Sequence, residues 1–134
     1  MRNYQPHYAK YGLSAARYNE LRAYCLQYPL WQAEAKSLLG VGAQKYSSMP
    51  RGSGVSDPVA RAAERRERLM EKINMVENVA RTIEGGKWYT ALIQNCCMGR
   101  GLTMIDPTIL PTSNRNAFYV ARRAFYLVLD EVKY

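Results

Sequence analysis

Ser56-Asp57-Pro58 opens the longest helical pattern in the chain, and Gly85-Gly86 closes it. Serine or aspartate caps a helix, and proline fits its first position, where an N–H has no intrahelical partner anyway. Apolar residues then recur at Ala62, Leu69, Ile73, Val76, Ala80 and Ile83. Their steps of four and three break only around Arg66, where Met70 shifts the seam. This is a heptad-like stripe, and it has to be covered. Residues 14–39 can fold back on it as an antiparallel partner, or a second copy of the chain can cover it as a homodimer. Spacing does not decide between the two. The other side of the pattern interleaves Arg61, Arg65, Arg66 and Arg68 with Glu64, Glu67 and Glu71, and pairs such as Glu64–Arg68 support an exposed helix face.

The remaining segments read as helices and loops. No stretch alternates with a period of two, so strands are not expected. Residues 1–13 are polar, basic and tyrosine-rich, with Pro6 and Gly12, and read as a flexible arm. Ser14 caps a helix carrying Leu21, Tyr24, Cys25 and Tyr28. Pro29 then either kinks this helix or starts a second one, on which Trp31, Ala35, Leu38 and Leu39 share a side before Gly40. Residues 40–56 are rich in glycine and serine and read as a long loop containing Lys45 and Arg51. Lys87 to Met98 forms a short apolar helix with Trp88, Leu92, Ile93 and Cys96, ended by Gly99 and Gly101. Asp106-Pro107 resembles another cap, but Pro111 leaves room for one turn. The expected architecture is all-α: a helical hairpin over 14–84 with the loop 40–56, then a second region over 85–134.

The last helix opens at Ser113 or Asn114. At about 100° per residue, Arg115, Tyr119, Arg122 and Tyr126 fall on one stripe, with Arg123 at its edge. Phe118, Ala121, Phe125, Val128, Leu129 and Val132 fall on the other side and are expected to bury. A rigid helix offering arginines and tyrosines from its N-terminal half is what reading a DNA groove requires. A solvated basic face is the plainer reading of the same spacing.

Composition bears on the partner. The chain carries a formal net charge of +8, with a sequence pI of about 9.6, which favours a polyanion. Nucleic acid comes first. A membrane is not expected, since no run of roughly 18 apolar residues occurs. No secretory leader is visible, and a cytoplasmic location is expected. The cysteines Cys25, Cys96 and Cys97 make no C-x-x-C pair, and His7 is the one histidine. No metal site is expected, and the three thiols read as apolar packing residues, with Cys96 and Cys97 on different sides of their helix. Phosphate-binding glycine loops and an activated nucleophile are missing, so neither catalysis nor a cofactor is expected.

Three pieces in order carry a resemblance. They are Tyr18-Asn19-Glu20-Leu21 with Cys25-Leu26-Gln27-Tyr28-Pro29-Leu30-Trp31, then Met49-Pro50-Arg51-Gly52-Ser53-Gly54-Val55-Ser56-Asp57-Pro58, and finally Asn114-Arg115-Asn116-Ala117-Phe118-Tyr119 leading to Arg122-Arg123-Ala124-Phe125-Tyr126. From Tyr18 onward the chain resembles the RinA- and ArpU-like late-gene transcriptional regulators of phages and prophages of Gram-positive bacteria. The resemblance implies a C-terminal helix-turn-helix similar to sigma-factor region 4. Residues near 103–110 would form its supporting helix and 114–131 its recognition helix, although Asp106-Pro107 and Pro111 shorten the support.

The resulting expectation is a non-catalytic, sequence-specific regulator of transcription that binds double-stranded DNA in the cytoplasm of a bacterial host. Arg115, Asn116 and Tyr119 would face bases, and Arg122 and Arg123 phosphates. Tyr126, Ser113 and Asn114 complete the expected DNA-contacting set. Two other classes fit the same residues. One is a small helical phage protein that binds and inhibits or redirects a host machine, such as RNA polymerase or a nucleic-acid-guided nuclease. Eleven tyrosines and Trp31 suit such an interface. The other is a ring-forming DNA-packaging subunit.

Overall fold

The computed structural model describes residues 8–44 and 57–134, with side chains over 10–40 and 57–134. Its regular structure is entirely helical; no strand occurs among the described residues. Residues 1–7 and 45–56, which include His7, Lys45, Arg51 and Ser56, lie outside the described residues.

The first helix, α1, spans Ala15–Cys25, and the Ser14 hydroxyl accepts the N–H of Arg17 at 3.1 Å. It ends in a tight joint: the Leu26 and Gln27 N–H groups return to the Arg22 and Tyr24 carbonyls, each at 3.1 Å. The second helix, α2, spans Tyr28–Gln44 and takes Pro29 in its first turn, so the proline starts a helix rather than kinking one. α2 also runs through Gly40 and Gly42, so residues 40–44 of the expected loop are helical. The third helix, α3, spans Pro58–Thr82. Asp57 caps it, its Oδ1 accepting the N–H groups of Val59 at 3.0 Å and Ala60 at 3.3 Å. All six residues of the expected stripe, from Ala62 to Ile83, are buried.

α3 stops in a 3-10 turn, Ile83–Gly86, where three successive residues are left-handed: Glu84 (φ 47°), Gly85 (φ 72°) and Gly86 (φ 87°). A short helix, α4, spans Tyr89–Leu92 and continues as a π turn over Ile93–Cys97. Two 3-10 turns follow, Leu102–Met104 and Pro107–Ile109, before the last helix, α5, spans Arg115–Lys133.

The chain divides into two compact units, residues 1–28 with 75–134, and residues 29–74. In the unit of residues 29–74, Trp31 and Ala35 of α2 and Leu69 and Ile73 of α3 are buried. The Arg65 guanidinium donates to the Glu34 carboxylate, and the Lys72 ammonium lies 5.8 Å from the centre of the Trp31 ring.

The other unit is organised around α5. Its inner side, Phe118, Ala121, Phe125 and Leu129, is almost wholly excluded from solvent. Trp88 meets Phe118 edge-on at 5.9 Å. α1 crosses the second half of α5, bringing Tyr18 to 5.2 Å from Tyr126 and Arg17 Nη1 to 2.7 Å from Asp130 Oδ1. The π turn is enclosed on both sides, with Cys97 against Cys25 of α1 and Cys96 against Tyr126 of α5. Neighbouring cysteines thus leave the helix in different directions and are both buried, as is Cys25.

Two expectations fail here. The arm does not extend to residue 13: Tyr8–Tyr11 form a 3-10 turn, and Leu13 is 1% exposed, seated in the core. An apolar anchor at the edge of a polar segment is enough to hold it down. Val132 was expected inside but is 54% exposed, because it lies one turn beyond the part of α5 that the core covers.

Candidate nucleic-acid interface

α5 is the most sharply two-sided of the long helices, and the candidate site is its outer side near the N-terminus. Asn114 is the cap: its Oδ1 accepts the Asn116 N–H at 2.9 Å, while its own N–H donates to Thr112 Oγ1 at 3.2 Å. Arg115, Asn116 and Ser113 are exposed, and Tyr119 is 40% exposed. Tyr119 stacks edge-on against buried Phe118, with centroids 5.7 Å apart, which limits how its ring can swing.

Arg122 is half-buried. Its guanidinium lies 4.9 Å from the centre of the Tyr119 ring, and its Nη1 donates to Asn95 Oδ1 at 3.4 Å. Arg115, Tyr119 and Arg122 therefore do share a stripe, as the helical spacing predicted. Arg123 leans the other way, 4.0 Å from the centre of the Tyr11 ring, and is half-buried against the N-terminal segment.

Tyr126 has to be removed from the expected contact set. It is 2% exposed and packed against Tyr18 and Phe125. Burial pushes its hydroxyl pKa well above the ordinary tyrosine value, and the neighbouring Cys96 and Cys25 add to the shift. The reason is that α1 covers the stripe from this point on. Periodicity fixes the direction a residue faces but not how far along the helix that side stays open.

The supporting α-helix implied at 103–110 is replaced by the two 3-10 turns. Asp106 starts the second, its Oδ1 accepting both the N–H and the hydroxyl of Thr108 at 2.9 Å. The Thr108 N–H, then the hydroxyl, holds the Asp106 carboxyl below its ordinary pKa. Between these turns and the start of α5 lies a shallow cavity of about 320 Å³, walled by Leu102, Ile105, Leu110 and Phe118 and edged by Asn114 and Arg115.

Asn95 and Arg100 are neighbours of the site that helical spacing does not reveal. The Asn95 amide donates to the Arg100 carbonyl at 2.8 Å, and Arg100 Nη1 donates to Gln94 Oε1 at 3.3 Å. One sequence signal was available for Arg100: it stands alone between Gly99 and Gly101, and Gly99 is left-handed (φ 73°). No cluster of three metal-ligating side chains occurs among the described residues, and no described helix is long and apolar enough to cross a membrane. Comparison with protein families, with curated proteins and with solved structures gives no match to this chain.

Proposed function

We propose that this chain is a non-catalytic, sequence-specific binder of double-stranded DNA that regulates transcription, with α5 as its recognition helix. One observation carries the reading. Arg115, Asn116 and Tyr119 stand exposed on the first turns of a helix whose opposite side is locked in the core. Groove reading needs this combination of rigid placement and exposed donors. In this reading the Pro107–Ile109 turn and the capping loop replace the first helix of a helix-turn-helix, and the hairpin of α2 and α3 is a separate element. The net charge of +8 supports the same assignment, as does the resemblance to the phage late-gene regulators drawn from the three sequence pieces. Arg115 and Asn116 would contact base edges, and Arg122 a phosphate. Arg123 contributes to the surrounding field rather than to a direct contact, since its guanidinium is taken by Tyr11.

The test is selection of duplexes from a random library, followed by fluorescence anisotropy on the winner and a scrambled control. Arg115→Ala should cost roughly 1–3 kcal/mol on the selected sequence, concentrated at one base position. If no sequence is enriched, or if Arg115→Ala binds the selected and scrambled duplexes as wild type does, α5 is not the reading element. A protein partner is the second reading, favoured by Met104, 75% exposed beside the cavity. A host complex such as RNA polymerase recovered with the chain, together with no enriched duplex, would favour it.

A further inference from the structure

α3 carries charges of both signs, and the helix sorts them. Arg65, Arg68 and Lys72 all fall within about 40° of Arg61 around its axis. Glu64, Glu67 and Glu71 centre roughly a quarter-turn away. A stretch that reads as interleaved is therefore two neighbouring stripes, and all of these residues are exposed. The pair expected between Glu64 and Arg68 does not form. Among the described residues the ion pairs engage Glu34, Glu77, Glu84 and Asp130 and no other acidic side chain. All eleven acidic residues of the chain lie among the described residues. No side-chain carboxylate elsewhere is thus left to pair with Arg61, Arg68 or Lys72. The basic stripe is also held in place. Arg65 donates to Glu34 of α2, and the Lys72 ammonium lies 5.8 Å from the centre of the Trp31 ring of α2. Leu69 and Ile73, on the next strip of α3, are buried. The stripe therefore follows the α2 edge of the hairpin on a helix that cannot turn about its axis. Its successive cations rise about 4.5–6 Å along that axis, over a length of about 16 Å.

We propose that Arg61, Arg68 and Lys72 form a rail for the phosphates of a DNA strand, with Arg65, shared with Glu34, as the positioning residue. The inference rests on the DNA-binding reading and adds to it a contact surface on the hairpin. Charge complementarity carries it. Cations a turn apart on one exposed edge repel one another, and no carboxylate of the chain relieves them. A duplex offers them a negative charge about every 1.7 Å of its axis. The net charge of +8 draws such a partner in from a distance. The acidic stripe bounds the rail on one side, so a strand is confined to the α2 edge. Phosphates carry no sequence information, so the rail raises affinity for every duplex alike and leaves discrimination to α5.

The experiment measures affinity against salt, on selected and scrambled duplexes, for the full chain and three double variants. Arg61→Ala with Arg68→Ala empties the rail. Arg61→Lys with Arg68→Lys keeps its charge. Lys36→Ala with Lys87→Ala removes the same charge elsewhere; Lys36 lies about 200° around α2 from Glu34. All the changed side chains are exposed, and alanine and lysine are good helix formers, so urea midpoints should stay near wild type. The alanine rail variant should lower the slope of log K against log salt by about 2 on both duplexes and leave the ratio between them unchanged. The lysine variant and the Lys36/Lys87 control should keep the wild-type slope. An unchanged slope in the alanine rail variant, an equal fall in the control, or a lysine variant no better than alanine overturns the proposal. The two readings fail separately. If the chain binds all duplexes alike and the alanine rail variant still lowers the slope, α5 is not the reading element and the rail stands. If selected duplexes are preferred and the rail variant matches wild type, the rail falls alone. If no duplex binds at low salt, both fall.

Discussion

Glu84 and Gly86 show how much local conformation is decided by single residues. Both have positive φ, and Lys87 Nζ reaches Glu84 Oε1 at 3.4 Å across the turn. A left-handed non-glycine costs roughly 1–2 kcal/mol, whereas an exposed ion pair returns well under 1 kcal/mol. Glu84→Gly should therefore leave stability unchanged or raise it by about 1 kcal/mol, despite losing the pair. Gly86→Ala should do the reverse. Besides its left-handed φ, the new Cβ would lie 3.1 Å from the Arg81 carbonyl oxygen, a backbone atom that cannot swing aside. A loss of about 1–3 kcal/mol is expected in urea unfolding. If Gly86→Ala is neutral while Glu84→Gly destabilises, the turn geometry described here is wrong.

At the scale of elements, α1 and α5 are held together by more than apolar contact. Arg17 pairs with Asp130 at 2.7 Å, and its guanidinium also lies 3.9 Å from the centre of the Tyr134 ring. Lys133 covers Tyr24 from the other direction, at 4.6 Å. The pair is partly exposed, with side chains 38% and 26% accessible, so solvent screening reduces it. A double-mutant cycle over Arg17→Ala and Asp130→Asn should give a coupling of about 0.5–1 kcal/mol, falling with salt. A coupling of zero would mean that aromatic packing alone joins the two helices. This contact also shows what could be read without coordinates. Caps and stops are local, so Ser14, Asp57, Asn114 and the glycines after Ile83 were legible, and so was the buried stripe of α3. The extent of α2 was not, because glycines at 40 and 42 are tolerated in a helix at a modest cost. Nor was the burial of Tyr126, which depends on α1 crossing a helix a hundred residues away in sequence. At the candidate site the spacing was sufficient to place Arg115, Tyr119 and Arg122 together. Asn95 reaches Arg122 only through tertiary packing, so no period along the chain could join them.

For the molecule as a whole, the buried polar groups set how stability depends on pH. Cys96 is pushed up to about 12, chiefly by burial, against its ordinary 9.0, with the Cys97 charge adding to this and Tyr126, Arg122 and Arg22 opposing it. Cys97 is raised by its contact with Cys25 and then by burial. Tyr126 is raised by burial, and Tyr28 by burial and by its 2.5 Å hydrogen bond to Glu77 Oε2. In each case the fold prefers the protonated, neutral form. The contribution is therefore complete below the unfolded-state value and is lost as pH climbs from there toward the folded value. For Cys96 that window runs from about 9 to about 12. The tyrosines join from their ordinary 10.0 upward. Stability should thus be flat in these groups through neutral pH and fall on the alkaline side. Each proton released on unfolding steepens the fall by about 1.4 kcal/mol per pH unit. Urea unfolding between pH 7 and 11 reads this directly. Cys96→Ala loses some core packing at every pH, but it should make the limb above pH 9 shallower by about one proton. Thiol labelling gives an independent reading of the same burial. All three cysteines should resist a disulfide reagent at pH 8 in the native chain and react at once in denaturant. Rapid native labelling, or an alkaline limb with the same slope in wild type and Cys96→Ala, would show that α1 and α5 do not seal the π turn.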